Sequence, residues 1–296
     1  MSARSLSVAR GVAYQCTRKL IRLPPKLLPS LLLPLFMFAA FGGALGAVGS
    51  TKGFGYYSYT AFVFVFVLYM SSMFSAVFTT FDVAADFESG FGNRMMLAAP
   101  RRLAIVGGYV MVALWRGVFN IAIVFAVALA TGLSVRADAL DIVGLVGLAL
   151  LLNIVTTLYG TGVALRFQST AAGVLVLIPT FMVFFVAPIF IPRHQLSGWL
   201  RDAADVNPLT PVLEAGRGFL ADDPIKVVLA FAALVGMLLL FTVWVIGGMR
   251  KAERGPGSSA RGPRARGPRA RAKQAGAAGG GGPRARGPRA RARAQA

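Results

Sequence analysis

Long apolar runs without charged residues constrain this sequence more than any other feature. A helix of about 20 apolar residues crosses a bilayer core roughly 30 Å thick. Hydrophobic residues make up 56% of the chain, which is too apolar for a soluble domain of 296 residues. The sequence therefore predicts an all-α polytopic membrane protein with six transmembrane helices, placed in the runs Leu27–Thr51, Gly53–Phe81, Leu103–Val135 (broken only by Arg116), Ile142–Leu165, Phe167–Pro192 and Val227–Met249.

The distribution of Lys and Arg predicts the orientation. These residues are more frequent before Leu27, in the Asp82–Arg102 connection and after Met249 than in the alternate connections. The positive-inside rule then places both termini in the cytoplasm.

The predicted spans divide the chain into three regions. Residues 1–26 mix apolar and basic positions and are expected to form an amphipathic helix at the inner membrane surface, or alternatively a frayed basic leader. Residues 27–250 form the six-span domain. Residues 251–296 are rich in Arg, Gly, Pro and Ala, contain no large apolar residue and are expected to be disordered. Such a tail could bind anionic lipid or nucleic acid, but a solvated appendage is favoured and nucleic acid is not an expected partner.

Several kinds of chemistry are missing from the chain. No Gly-x-x-x-x-Gly-Lys-Ser/Thr loop occurs, so we expect no nucleotide site on this chain. Cys16 and His194 are the only residues of their types, which argues against a disulfide or a metal site. Acidic residues fall in connections or at span boundaries, which disfavours proton-coupled transport. The chain is therefore predicted not to be an enzyme, and any energy that drives its activity must come from elsewhere.

The charged connection Asp82–Arg102 is predicted to make a contact. Its acidic residues precede its basic residues, an order that complements a helix dipole, so a short helix ending near Pro100 is expected. Its charges would pair with a cytosolic protein while Met95, Met96 and Leu97 fill a groove. The alternative is a simple connector held at the lipid headgroups.

Polar residues inside the predicted spans have two interpretations. Arg116, Asn120 and Asn153 could line a water-filled path, or they could pair with neighbouring helices inside the bundle. The Arg116 side chain could also extend to the membrane interface.

Prolines interrupt the fifth run, so the outer loop after it is expected to dip partly back into the membrane as a gate, with Trp199 at the interface. Within that loop, Glu214 and Arg217 stand three residues apart and would pair if the stretch is helical.

Two segments carry a family resemblance. The residues Glu88, Gly90, Arg94, Leu97 and Pro100, followed by Gly107-Gly108, resemble the connection between the second and third spans of type-2 ATP-binding-cassette exporter permeases. The stretch Phe184–Leu220, with its Asn-Pro-Leu-Thr element at residues 207–210, is similar to the signature of that family, most of all in its daunorubicin-resistance type. One departure is that Leu196-Ser197, rather than Leu-Pro, precedes Gly198-Trp199. By span order the resemblance covers Leu6 to about Arg250.

The resemblance implies the membrane subunit of an exporter in the plasma membrane of a prokaryote, moving a drug, an antibiotic or a lipid outward. Two permease chains, identical or different, would pair, and two copies of a separate subunit would bind ATP and Mg. The implied site residues are an ATPase-coupling loop (Asp86, Glu88, Gly90, Arg94, Met95, Leu97, Pro100) and an outer gate (Pro188, Pro192, Trp199, Asn207, Pro208, Glu214, Arg217). The alternatives are an ATP-independent channel or carrier and a membrane-anchored scaffold with a basic tail.

Overall fold

A computed structural model describes residues 28–44, 56–98 and 103–253, together with Gly11. Within these residues the chain forms α-helices, one 3-10 helix at Arg193–Gln195, and no strand, so the all-α prediction is confirmed there. The α-helices are α1 (Leu28–Ala44), α2 (Tyr59–Glu88), α3 (Phe91–Ala98), α4 (Leu103–Ala130), α5 (Ala139–Phe167), α6 (Ala171–Val186), α7 (Trp199–Val206), α8 (Leu209–Ala221) and α9 (Val227–Glu253).

Within the part of the chain that the structure describes, four helices are long and apolar enough to cross a membrane: α2, α4, α5 and, over Val227–Arg250, α9. The first and fifth predicted spans correspond to the shorter apolar helices α1 and α6, of 17 and 16 residues. Each of these two contains an internal proline, Pro34 and Pro179. A proline inside a helix removes one backbone hydrogen bond and favours a bend. The predicted amphipathic helix and the tail lie outside the described residues.

Helix α2 is the centre of the bundle. Its most apolar stretch is 94% buried, whereas α9 is 17% buried over the corresponding stretch. A helix that is apolar on all sides needs neighbours on all sides, and α1, α4, α5, α6 and α8 pack around α2. The bundle is therefore organised on α2, with α9 at its edge against α5 and α8.

Small residues set the closest approach between α2 and α5. A Cβ atom built on Gly160 of α5 would lie 1.9 Å from Oγ1 of Thr80 on α2. Real Cβ atoms do not approach that closely, so the spacing of the two helices depends on glycine at position 160.

The connection between α2 and α4 differs from the sequence prediction in where its helix begins. Asp82, Asp86 and Glu88 belong to the last two turns of α2, and the short helix α3 starts only after a turn at Ser89 and Gly90. Gly90 has φ of +74°, a left-handed conformation that glycine adopts without a steric penalty. The acidic residues therefore end α2 rather than begin α3.

Candidate functional site

The carboxylates at the end of α2 are all turned to other helices of the same chain. Asp86 is buried and its Oδ2 accepts a hydrogen bond from the Tyr109 hydroxyl of α4 at 3.0 Å. Glu88 is exposed to solvent, but its Oε2 accepts a hydrogen bond from the backbone N–H of Thr170 at 2.9 Å. Thr170 is the N-cap of α6 and its own side chain makes no capping bond. Glu88 therefore satisfies a free N–H at the positive end of α6.

Helix α3 has one exposed face and one face that packs against the bundle. Arg94 is exposed, and Leu97 is 85% exposed. On the other side Met96 is buried in a cluster with Phe87, Ile105 and Val106, and Met95 is partly buried against the same cluster. Gly92 fits closely here, because a Cβ on it would lie 2.6 Å from the ring of Phe87. The outward face of α3 thus carries the amide of Asn93, the cation Arg94 and the large apolar side chain of Leu97. Pro100 lies outside the described residues.

Arg116 forms a buried ion pair rather than standing alone in the membrane. Its Nη2 lies 2.8 Å from Oδ2 of Asp82, and its Nη1 donates to Thr79 Oγ1 at 3.3 Å. The Arg116 side chain is 1% exposed, while that of Asp82 is 34% exposed. The pair joins α4 to α2 near the end of α2 that leads into α3.

Asn120 and Asn153 extend the buried polar contacts of Arg116 deeper into the bundle. We call Arg116, Asn120 and Asn153 the polar seam. Asn120 Nδ2 donates to Ser30 Oγ of α1 at 3.2 Å and to the Ser71 carbonyl of α2 at 3.3 Å. Asn153 Nδ2 of α5 donates to the Ser72 carbonyl at 2.8 Å. Both asparagines are fully buried within one chain. This geometry favours the second interpretation of the sequence, in which these residues join helices, and whether they also line a path stays a prediction.

The segment between α6 and α9 is built around Asn207. Its Oδ1 accepts from the backbone N–H of Leu209 at 2.9 Å, and its Nδ2 donates to the Val183 carbonyl of α6 at 2.5 Å. Thr210 Oγ1 donates to the Ala204 carbonyl at 2.6 Å. An asparagine with this local bond begins the turn that starts α8. The Asn-Pro-Leu-Thr element therefore fixes α8 against α6 and α7.

The prolines and the tryptophan of the segment occupy different surroundings. Pro188 and Pro192 are buried. Pro192 immediately precedes the 3-10 helix, where Arg193 Nε lies 2.6 Å from Asp205 Oδ1 of α7. Trp199, at the start of α7, is 74% exposed.

Arg217 of α8 is 2% exposed and has an unusual set of partners. Its guanidinium carbon lies 3.4 Å from the centroid of the Phe62 ring. Its Nε and Nη2 donate to the carbonyls of Phe62 and Ile189 at 3.3 and 3.4 Å, and its side chain is hydrogen-bonded to Tyr56. Burial lowers the pKa of Arg217 to about 10, so the guanidinium stays protonated at neutral pH. Arg217 thus connects α8 to the start of α2.

The predicted ion pair between Glu214 and Arg217 is wrong. Glu214 Oε2 instead lies 2.6 Å from Nζ of Lys226, which immediately precedes α9. The two residues do share a helical stretch, but Arg217 is turned to the Phe62 ring and to backbone carbonyls. Lys226 lies twelve positions from Glu214, so no helical spacing in the sequence indicates this pair.

These elements define a helical, multi-pass membrane protein with a short exposed helix on one connection and a buried helix on another. The model of the ABC-2 type transporter family matches residues 12–220. The chain belongs to the ABC-2 type transporter family, and the matched residues form the membrane domain of a transporter of that family. Comparison with curated proteins gives no match.

Proposed function

We propose that this chain is the permease subunit of an exporter that moves a hydrophobic or amphipathic substrate outward across the plasma membrane of a prokaryote. ATP and Mg would bind to two copies of a separate subunit, and a second permease chain, identical or different, would complete the complex. Family membership supports the transport role, and the outward face of α3 is the observation that carries the coupling role.

The coupling segment runs from Asp86 through α3 in this proposal. Arg94 and Leu97 face outward, so they would contact the ATP-binding subunit through an acidic, partly apolar surface. Asp86 and Glu88 hold the same segment to α4 and α6. Movement of α3 would then reach two further helices directly, since both contacts lie within two turns of it. Gly90 supplies the turn, and Met95 packs behind the contact face.

The segment from Pro188 to Arg217 would serve as the outer gate. A Cβ on Gly216 of α8 would lie 2.3 Å from the Tyr69 hydroxyl oxygen of α2. Tyr69 lies about 15 Å along α2 from Tyr59, at 1.5 Å per residue. This close contact supports a loop that partly re-enters the membrane. With both termini in the cytoplasm, as the positive-inside rule favours, α3 would face the ATPase and α8 the outside.

Affinity purification of the full chain from its native membranes tests the coupling role. The wild-type chain is expected to bring down a protein with an ATP-binding cassette. The variant Arg94→Glu/Leu97→Asp should lose it, because the charge is reversed and the apolar contact removed. Leu140→Asp is the matched control, since Leu140 is 76% exposed at the start of α5, at the opposite end of α4 from α3. Equal recovery of the partner by all three chains would contradict the proposal.

A further inference from the structure

A cavity of about 130 Å³ lies in the cleft between α6 and α9. Its floor is formed by Leu152 and Val155 of α5, and its walls include Val183 of α6 and Met237 and Phe241 of α9. The cavity is therefore bounded by helices of one permease chain. None of the residues discussed above as a coupling contact or as part of the polar seam lines it.

The side chains that line the cavity determine which class of ligand can bind in it. No charged side chain is among the lining residues, and the polar groups are the hydroxyls of Thr156, Tyr159 and Thr180. An ion or a phosphate headgroup would lose its hydration without gaining a partner of opposite charge. Met237 and Met73 add flexible, polarisable surface that adapts to irregular apolar shapes. The cavity thus suits hydrocarbon.

The size of the cavity and the surroundings of its opening further limit which ligand it can hold. A cavity of about 150 Å³ lined by apolar side chains is large enough to bind benzene, so this one matches a segment of hydrocarbon of similar size. The chain neighbours of the lining residues Val183 and Phe241 are apolar and exposed, with Met182 of α6 at 66% and Leu240 of α9 at 63%. Because α9 is a candidate membrane span, this surface faces lipid chains rather than water.

The cavity also touches the capped start of α8. Leu209 lines it, and the carbonyl of Val183, another lining residue, accepts the hydrogen bond from Asn207. Pro179, inside α6, forms part of the same wall. Filling of the cavity would consequently press on the helix and the asparagine that position α8.

We infer that the cleft between α6 and α9 is a binding site for one hydrocarbon chain of a membrane lipid, within a single permease chain and connected through Val183 and Asn207 to α8. The site needs neither ATP nor a transport cycle to be occupied. It can therefore be tested separately from the proposed export function.

The test is photo-crosslinking of the purified full chain in nanodiscs of phosphatidylethanolamine and phosphatidylglycerol. A small fraction of the lipid carries a diazirine midway along one acyl chain, and labelled peptides are mapped by mass spectrometry. We expect labelling at Met237 and Val183 to exceed several-fold the labelling at Met111, which is 47% exposed on α4 and reports contact with bulk lipid. Labelling at the cleft equal to or below that at Met111 would overturn the inference.

Substitutions at the cleft and at a control position distinguish labelling inside the cavity from labelling on the lipid-facing surface. Met237→Trp should fill the cleft and reduce its labelling several-fold, whereas the matched change Met111→Trp should leave the cleft labelling unchanged. If Met237→Trp lowers the yield of folded protein, Val155→Leu fills the floor by a smaller amount and should reduce the labelling in part. Thr156→Val removes a hydroxyl and should leave labelling unchanged. A loss in this variant would point to a polar ligand and contradict a hydrocarbon chain, as would unchanged labelling in the filled variants.

Discussion

The carboxylate of Glu88, at the end of α2, accepts a hydrogen bond from the backbone N–H of Thr170 at the start of α6. This contact joins the helix that precedes the exposed α3 to the helix that leads into the Asn207 segment. It also gives Glu88 a role inside the chain, where the sequence alone suggested a contact with a cytosolic partner. The two roles make different predictions for the same substitutions.

Glu88→Gln should retain most function, because an amide oxygen can still accept the bond from Thr170. Glu88→Ala should lower the free energy of unfolding of the isolated permease by about 0.3–1 kcal/mol, which is typical of a carboxylate at a helix N-terminus. It should also weaken substrate-stimulated ATP hydrolysis in the complex. If the charge of Glu88 instead served only the partner, Gln and Ala would impair hydrolysis equally while leaving the isolated permease as stable as before.

The ion pair between Arg116 and Asp82 should matter more for folding than its position near a connection suggests. Asp82→Asn leaves the buried guanidinium of Arg116 without its counter-charge. Removing one partner of a buried ion pair typically costs about 3–5 kcal/mol of folding free energy. We expect a value near the lower end, since Asp82 is one-third exposed. The double variant Asp82→Asn/Arg116→Met should recover much of the loss, measured as the yield and melting temperature of the purified chain. No recovery would mean that Arg116 acts through other partners.

Four of the six predicted spans, α2, α4, α5 and α9, are long enough in the structure to cross a membrane, whereas the pairing of the charges was predicted poorly, for a physical reason. Apolar length is enough to specify α2, α4, α5 and α9, because a membrane span must be predominantly apolar. Helix α4 also contains Arg116, whose charge is paired with Asp82. Partners such as Tyr109 for Asp86 and Thr170 for Glu88 are brought together only by helix packing, 23 and 82 positions apart. No local periodicity reports a contact of that kind.

The segment at residues 207–217 shows the same limit at closer range. The Asn-Pro-Leu-Thr element is recognised from sequence through the family resemblance, and one of its bonds, from the Leu209 N–H to Asn207 Oδ1, is local. The choice of Lys226 over Arg217 as the partner of Glu214 depends on the Phe62 ring, which attracts the Arg217 guanidinium. That ring belongs to α2, more than 150 positions earlier.

A double-mutant cycle tests this reassignment. Glu214→Ala and Lys226→Ala should be coupled by about 0.5–1 kcal/mol, at the low end for contacting residues because Lys226 is 38% exposed. The corresponding cycle with Arg217→Ala should give a smaller coupling, although Arg217→Ala alone should be the most damaging of the three changes. A coupling of Glu214 with Arg217 that exceeds its coupling with Lys226 would restore the pairing expected from sequence.

The spacing between α2 and α5 gives a prediction that does not involve charge. Gly160→Ala should lower the free energy of unfolding by about 1–3 kcal/mol, because the added methyl group overlaps the Thr80 side chain. Thr80→Ala in the same chain should restore part of it by removing that hydroxyl. Gly107→Ala on α4 is the control, since a Cβ there meets no atom within 4 Å. Equal effects at positions 107 and 160 would show that helix propensity, not packing, determines the result.

The proposed mechanism is that ATP hydrolysed on a separate subunit drives export through this chain. Its most direct measurement uses the purified complex in proteoliposomes, loaded with a fluorescent phospholipid or an amphipathic dye and supplied with Mg-ATP. We predict transport that requires hydrolysable ATP and is lost in the Arg94→Glu/Leu97→Asp chain. Transport that proceeds at the same rate without ATP would identify a channel or an ATP-independent carrier and contradict the account.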